Sequence, residues 1–233
     1  MRVTNSPSSW IQRVARVTAT GALATLAACG LAGAADRTYD RPNPAIDMPL
    51  AQVKGNQTLV VAGGCFWGVE AVFKHVKGVV TATSGYAGGD ASTANYDTVS
   101  SGRTGHAEAV SIVYDPSQVT VGQLLKVFFS VAHNPTELNR QGPDHGTQYR
   151  SAVFYKGDEQ KRVTQAYIDQ LQGSKIYPGP IVTQVAPLVS FHVAEAYHQN
   201  YLALHPNQPY IVINDIPKVE ALKAKFPAIY RNS

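Results

Sequence analysis

A short apolar run, Thr58-Leu59-Val60-Val61-Ala62, ends at a glycine pair and leads straight into Cys65-Phe66-Trp67-Gly68. A run of this length bounded by glycines reads as a buried strand, and Phe66, Val69 and Phe73 then fall at helical spacing, so residues 66–75 read as a helix. Cys65 is thereby held at a strand-to-helix turn, where glycine allows a sharp bend and a close approach of the backbone. Free cysteines are most often inert core residues. One set between a glycine pair and two aromatics reads better as a nucleophile. The attacking species is a thiolate, and the unpaired N–H groups of a helix N-terminus are expected to lower the thiol pKa.

Strand and helix signals alternate beyond this turn. Residues 79–84, 107–114, 151–155, 181–185 and 190–193 carry strand patterns; residues 121–131, 158–172, 196–204 and 217–226 carry helical ones. A glycine-rich turn is expected at Gly85-Tyr86-Ala87-Gly88-Gly89. The reading is an α/β (α+β) fold: a single two-layer domain over residues 58–233, with a mixed sheet of about five or six strands flanked by helices. Strand order is not legible. Residues 85–106 and 133–150 are long polar loops rich in Gly, Tyr and His, where site residues commonly lie.

The first 35 residues read as an export signal. Arg2, Arg13 and Arg16 precede an uncharged stretch, 17–28, and small residues follow. Leu26-Ala27-Ala28-Cys29 has the form of a bacterial lipobox, making Cys29 a lipidation candidate; Ala32-Gly33-Ala34 offers simple cleavage after Ala34 instead. The apolar stretch is short against the ~20 residues of a membrane span, so no span is expected in the mature form. The protein is read as exported to the periplasm, either free or anchored as a lipoprotein. Residues 36–57, with Pro42, Pro44 and Pro49, form a linker or arm that either wraps on the body or swings free. Either cleavage route leaves Cys65 as the one free thiol, since the chain has two cysteines. The net charge of +4 owes three units to the leader arginines, leaving 17 basic against 16 acidic residues. No basic block interleaved with aromatics occurs, which excludes nucleic acid as a partner.

Three segments carry a resemblance. Gly64-Cys65-Phe66-Trp67-Gly68, Gly102-x-x-Gly105-His106-Ala107-Glu108-Ala109-Val110 and Gly142-x-Asp144-His145-Gly146-Thr147-Gln148-Tyr149-Arg150-Ser151 resemble, in order and spacing, the signature segments of the A-type peptide methionine sulfoxide reductases. The similarity runs from about residue 58 to about residue 215. It implies a monomeric α/β enzyme that reduces methionine-S-sulfoxide, free or in protein, through a cysteine nucleophile. No bound cofactor is implied, only an external thiol reductant: a thioredoxin-like protein, a glutathione-type thiol, or dithiothreitol in vitro.

That chemistry asks for a thiolate, an acid at the sulfoxide oxygen, donors to hold the oxygen, and an apolar slot for the S-methyl group. Cys65 supplies the first. Glu108 matches the family acid, and burial would raise its pKa toward working pH. Tyr96 and Tyr149 match the two tyrosines that contact the same oxygen. Phe66 and Trp67 would form the methyl-accepting wall. Asp144 and His198 match outer, supporting positions. Many relatives carry a resolving cysteine in a Gly-Tyr-Cys stretch near the C-terminus; the corresponding stretch here, Gln208-Pro209-Tyr210-Ile211-Val212-Ile213-Asn214-Asp215, has none, and Ser100 stands where some relatives have another. A one-cysteine cycle follows, with the Cys65 sulfenic acid reduced from outside.

Three other readings compete. A metal centre could draw on His106, His133 and His145, but the spacing of a strong site is missing, and no metal is expected. Acyl transfer would pair Cys65 with a histidine base such as His198, oriented by Asp144 or Asn200. A non-enzymatic lipoprotein could bind apolar ligands at Phe66 and Trp67, which leaves Glu108 and both tyrosines without a task.

Overall fold

The computed structural model describes residues 41–232; the export signal expected over residues 1–35, with Cys29 in it, and residues 36–40 of the expected arm lie outside the described residues. The elements run β1 (Gln57–Gly63), α1 (Phe66–Lys74), β2 (Val79–Ala87), α2 (Tyr96–Val99), β3 (Ala107–Tyr114) and α3 (Val121–Val127). A two-residue hairpin follows, β4 (Arg140–Gln141) with β5 (Asp144–His145). The chain continues through β6 (Ser151–Tyr155), α4 (Gly157–Gly173), β7 (Gln184–Pro187), β8 (Phe191–Val193), α5 (Tyr201–Leu204) and α6 (Ile216–Lys225). Six strands form one sheet in the order β7-β6-β1-β3-β2-β8. It is mixed, because β6 and β7 pair in parallel while the other neighbours are antiparallel. The α/β expectation holds.

Side-chain alternation gives the sheet two unlike faces. Leu59, Val61, Val110, Ile112 and Val153 point into the large core with Phe66, Val69 and Phe73 of α1 and Leu124, Leu125 and Phe128 beyond. Val60, Ala62, Ala107, Ala109 and Ala152 point the other way, into a smaller cluster that Leu188 and Phe191 cover. Glu108 shares the strand parity of Val110 and Ile112, so it faces the large core rather than solvent.

Antiparallel pairing also collects strand ends. With Val61 opposite Val110, the end of β1 lies beside the start of β3. Gly63 is opposite Ser151, which brings the start of β6 to the same edge, and Tyr86 opposite Glu108 adds the end of β2. Four loops from distant parts of the chain therefore meet over one end of the sheet.

Several local expectations give way to tertiary contacts. β2 runs through Gly85, where a turn was expected, because Gly85 pairs with Ala109 on one side and Val193 on the other. The strand expected at 181–185 starts at Gln184: the Ile181 N–H donates to Gln172 Oε1 (2.7 Å) and the Val182 N–H to the Pro135 carbonyl (2.8 Å), which takes both out of the ladder. The helix expected over 196–204 is a 3-10 turn, Ala196–His198, separated from α5 by Asn200 at φ +57°. Asparagine tolerates this left-handed conformation, and here it lets the Asn200 N–H reach the buried Glu70 carboxylate at 3.1 Å. The helix expected over 121–131 widens to a π turn across Phe128–Ala132.

The described part of the arm lies on the body. Arg41 sits over the Tyr177 ring, 4.2 Å from its centroid, and its Nε donates to the Tyr177 hydroxyl (2.9 Å). Asp47 accepts the Gly122 N–H at the start of α3 (2.8 Å).

Gly64 has φ +88°, and a Cβ there would lie 2.6 Å from Gln141 Cβ. The left-handed backbone alone makes Gly64→Ala cost about 1–2 kcal/mol, and the contact adds to it. The expected result is a lower thermal midpoint; an unchanged midpoint would show that the turn relaxes freely.

Candidate active site

Cys65 occupies the N-cap of α1 and makes no side-chain capping bond. The first N–H groups of the helix therefore remain available to the site. The Phe66 N–H donates to Glu108 Oε2 at 3.1 Å, tying the carboxyl of β3 to the turn that carries the sulfur. Glu108 is only 3% exposed. Burial raises its pKa to about 8 against the opposing Phe66 N–H, and the charges of Asp144 and Asp215 push the same way. At neutral pH this carboxyl carries a proton, as a general acid must.

The sulfur departs from expectation. The Trp67 N–H and Lys218 favour the thiolate, yet the Cys65 pKa is raised well above its usual value, first by burial and then by Glu108 and Asp215. Desolvation outweighs the helix N-terminus, Asp215 adds to it, and Glu108 adds its own charge only where it is ionised. The resting site thus holds a thiol beside a carboxylic acid, not a preformed thiolate.

One cavity of about 260 Å³ brings together Cys65, Phe66, Trp67, Tyr96, Glu108, Asp144 and Tyr149, with Gln208 and Tyr210 completing it. Seven of the eight residues singled out by sequence line it. The exception, His198, is buried behind the aromatic wall. Its Nδ1 accepts the Trp67 Nε1–H (3.1 Å), and its ring lies 5.0 Å from Phe66 and 4.5 Å from Tyr96. Tyr96 and Tyr149 have raised pKa values, mainly from burial, so both keep their phenolic protons as donors.

Three residues went unremarked in the sequence. The Tyr210 hydroxyl donates to Asp144 Oδ2, and Tyr210 meets Trp67 edge-on at 5.9 Å. Its only signal was its place in the stretch notable for lacking a cysteine. Glu195 accepts the Tyr96 N–H (2.9 Å) and the Tyr86 hydroxyl (2.8 Å), fixing α2 against β2. Asp215 is fully buried beside α1: a Cβ on Gly68 would lie 2.1 Å from its Oδ1, and Lys218 Nζ donates to that oxygen (2.9 Å). Asp215 ends that same stretch and has no other local signal, and nothing in local sequence marks Glu195.

The rival geometries do not form. His198 lines neither cavity that Cys65 opens onto and accepts the Trp67 Nε1–H through Nδ1, so it is not placed as the base of a Cys–His pair. Asn200 is engaged with Glu70 and Lys74. His106 and His133 are bonded elsewhere, to the Asp90 carbonyl and Ser151 respectively. Among the described residues no group of three or more His, Cys, Asp or Glu is placed to hold a metal ion.

The sequence profile of the family described as peptide methionine sulfoxide reductase matches residues 57–229. The chain belongs to that family. The reductase is 61% identical over 176 residues to peptide methionine sulfoxide reductase MsrA 2 of Mesorhizobium japonicum, covering 76% of this chain and 90% of the relative. It is 49% identical to a Synechocystis protein of the same name, covering 79% and 87%. Among solved structures, methionine sulfoxide reductase A of Corynebacterium diphtheriae superposes with a TM-score of 0.58 at 38% identity, over 66% of this chain and 77% of that one. Mxr1 of Saccharomyces cerevisiae in reduced form gives 0.61 at 31%, over 70% and 92%. The reductase is thus a peptide-methionine (S)-S-oxide reductase. Its family uses thiol reductants such as thioredoxin.

Proposed function

We propose that the reductase works with Cys65 alone and is recycled by an outside thiol. Methionine sulfoxide enters with its S-methyl group against Phe66 and Trp67 and its oxygen toward Glu108, Tyr96 and Tyr149. Glu108 gives its proton to that oxygen as the Cys65 sulfur takes it; the S–O bond of the substrate breaks, a Cys65 S–O bond forms, and the thiol proton restores Glu108. The sulfoxide sulfur gains two electrons and Cys65 loses two, leaving methionine and a Cys65 sulfenic acid. Asp144 is held by Tyr210, and His198 positions the Trp67 indole. A thiol then condenses with the sulfenic acid, and a second thiol frees Cys65 from the mixed disulfide.

The observation that carries the cycle is the cysteine count: two in the chain, with Cys65 the only one among the described residues and the other, Cys29, in the leader. Work on envelope proteins is supported by the pattern of residues 1–35, with lipidation at Cys29 or cleavage after Ala34.

One intact-mass experiment tests both parts. Mature protein given a methionine-S-sulfoxide peptide without reductant should gain about sixteen daltons, the mass of one oxygen on Cys65, while about one equivalent of methionine peptide appears. A loss of two hydrogens instead would mean an internal disulfide and end the one-cysteine reading. The same spectrum reports the N-terminus, and an uncut chain would end the export reading.

A further inference from the structure

Cys65 lines a second cavity, larger than the first at about 360 Å³. It shares Cys65, Asp144 and Tyr210 with the substrate cavity and otherwise has walls of its own, among them His133, Gln141, Ile213 and Lys218. Glu108, both site tyrosines and the Phe66–Trp67 slot are missing from it. It therefore has neither the buried acid nor the aromatic wall of the substrate cavity. The Tyr210–Asp144 hydrogen bond lies on the boundary between the two spaces.

We infer that this second cavity is the route by which the reducing thiol reaches oxidised Cys65. The inference rests on the one-cysteine reading above. A thiolate displaces the oxygen of a sulfenic acid along the extension of the S–O bond, from the side opposite the leaving group. The oxygen arrives from the substrate and is held on the side of Glu108, Tyr96 and Tyr149. The second cavity reaches the same sulfur with none of those three groups in its walls, so it leaves an approach that the held oxygen does not occupy.

The step balances. The incoming thiol sulfur forms a bond to Cys65, the Cys65 S–O bond breaks, and the hydroxide leaves as water with a proton from Glu108. The proton of the incoming thiol replaces it. Glu108 thus serves both half-reactions from one position. Lys218 lines the second cavity, and its Nζ donates to Asp215 Oδ1 (2.9 Å). His133 contributes no charge: burial, first of all, takes its pKa down to about 3, and Ser151 lies 2.7 Å from its Nε2. Because the Phe66–Trp67 slot is not part of the second cavity, reduction can begin while methionine still fills that slot.

Ile213 is 71% exposed and lines this cavity, so Ile213→Trp narrows it at low risk to folding. Enzyme is first oxidised with sulfoxide peptide, and methionine release is counted. It is then mixed with dithiothreitol or a thioredoxin-type dithiol protein, and residual sulfenic acid is trapped with a dimedone probe. Because exchange depends on access, Ile213→Trp should slow the dithiothreitol reaction by about tenfold or more, with the methionine burst unchanged. Slowing with dithiothreitol alone assigns the route to small thiols; slowing with both extends it to a protein's cysteine. An unchanged dithiothreitol rate, or a smaller burst, overturns the inference. In the wild type, saturating methionine peptide should leave the reduction rate unchanged, and competitive slowing would place thiol and product in one cavity. Failure of the wild type to form any sulfenic acid would instead sink the one-cysteine reading.

Discussion

Replacing Cys65 with serine should reduce turnover to background, a loss on the order of 10⁴-fold or more, as expected when the nucleophile of a concerted site is removed. Serine differs by one atom and keeps the φ −53°, ψ 125° turn at the start of α1. The aromatic slot and the donors stay in place, so substrate affinity should survive. A hydroxyl cannot accept the oxygen, because no two-electron oxidation of its oxygen is accessible in the way that thiol sulfur reaches the sulfenic acid. Single-turnover assays with sulfoxide peptide read the loss directly. Substantial residual reduction would mean that another group takes the oxygen.

Glu108→Gln should slow the oxygen-transfer step by roughly 10²–10⁴-fold, the range for losing general acid catalysis. Glutamine can still accept the Phe66 N–H, so the turn at Cys65 stays anchored. The pH dependence carries the sharper test. Glu108 is protonated below its raised pKa of about 8, so the acid form dominates at neutral pH. The single-turnover rate should fall as pH rises through that value. Ionisation of Cys65, whose pKa is raised well above the usual thiol range, lies further up and favours attack, so it cannot cause this fall. In Glu108→Gln the descending limb should vanish. A wild-type rate in the variant, or a limb that persists without Glu108, would assign the acid to another group.

How much of this could be read in advance depends on how local each feature is. The β1–α1 turn was legible because an apolar run, a glycine pair and helical spacing sit within sixteen residues, and its outcome is set by short-range sterics. The helices over Gly157–Gly173 and Ile216–Lys225 were legible for the same reason. Gly85, Ile181 and Asn200 were misread because partners far along the chain decide their conformations: Val193, Gln172 and Glu70. The thiol pKa was misread for a related cause. A helix N-terminus can be recognised locally, but burial and the presence of Asp215 beside α1 cannot.

By itself, the sequence determined which atoms are on hand: two cysteines, of which only Cys65 stands in a glycine-flanked motif, one acid in a glycine-led strand, tyrosines and aromatics in recognisable segments, and no cysteine in the stretch from Gln208 to Asp215. Only the tertiary structure decided that these atoms meet. The antiparallel register places the ends of β1 and β2 and the starts of β3 and β6 along one edge, so Cys65, Tyr96, Glu108 and Tyr149 converge there. It also set the protonation of that cluster and opened two approaches to one sulfur atom. The physical reason is range. Composition and periodicity report on neighbours within a few turns, whereas pairing between strands tens of residues apart fixes proximity, and burial fixes how strongly charges there interact.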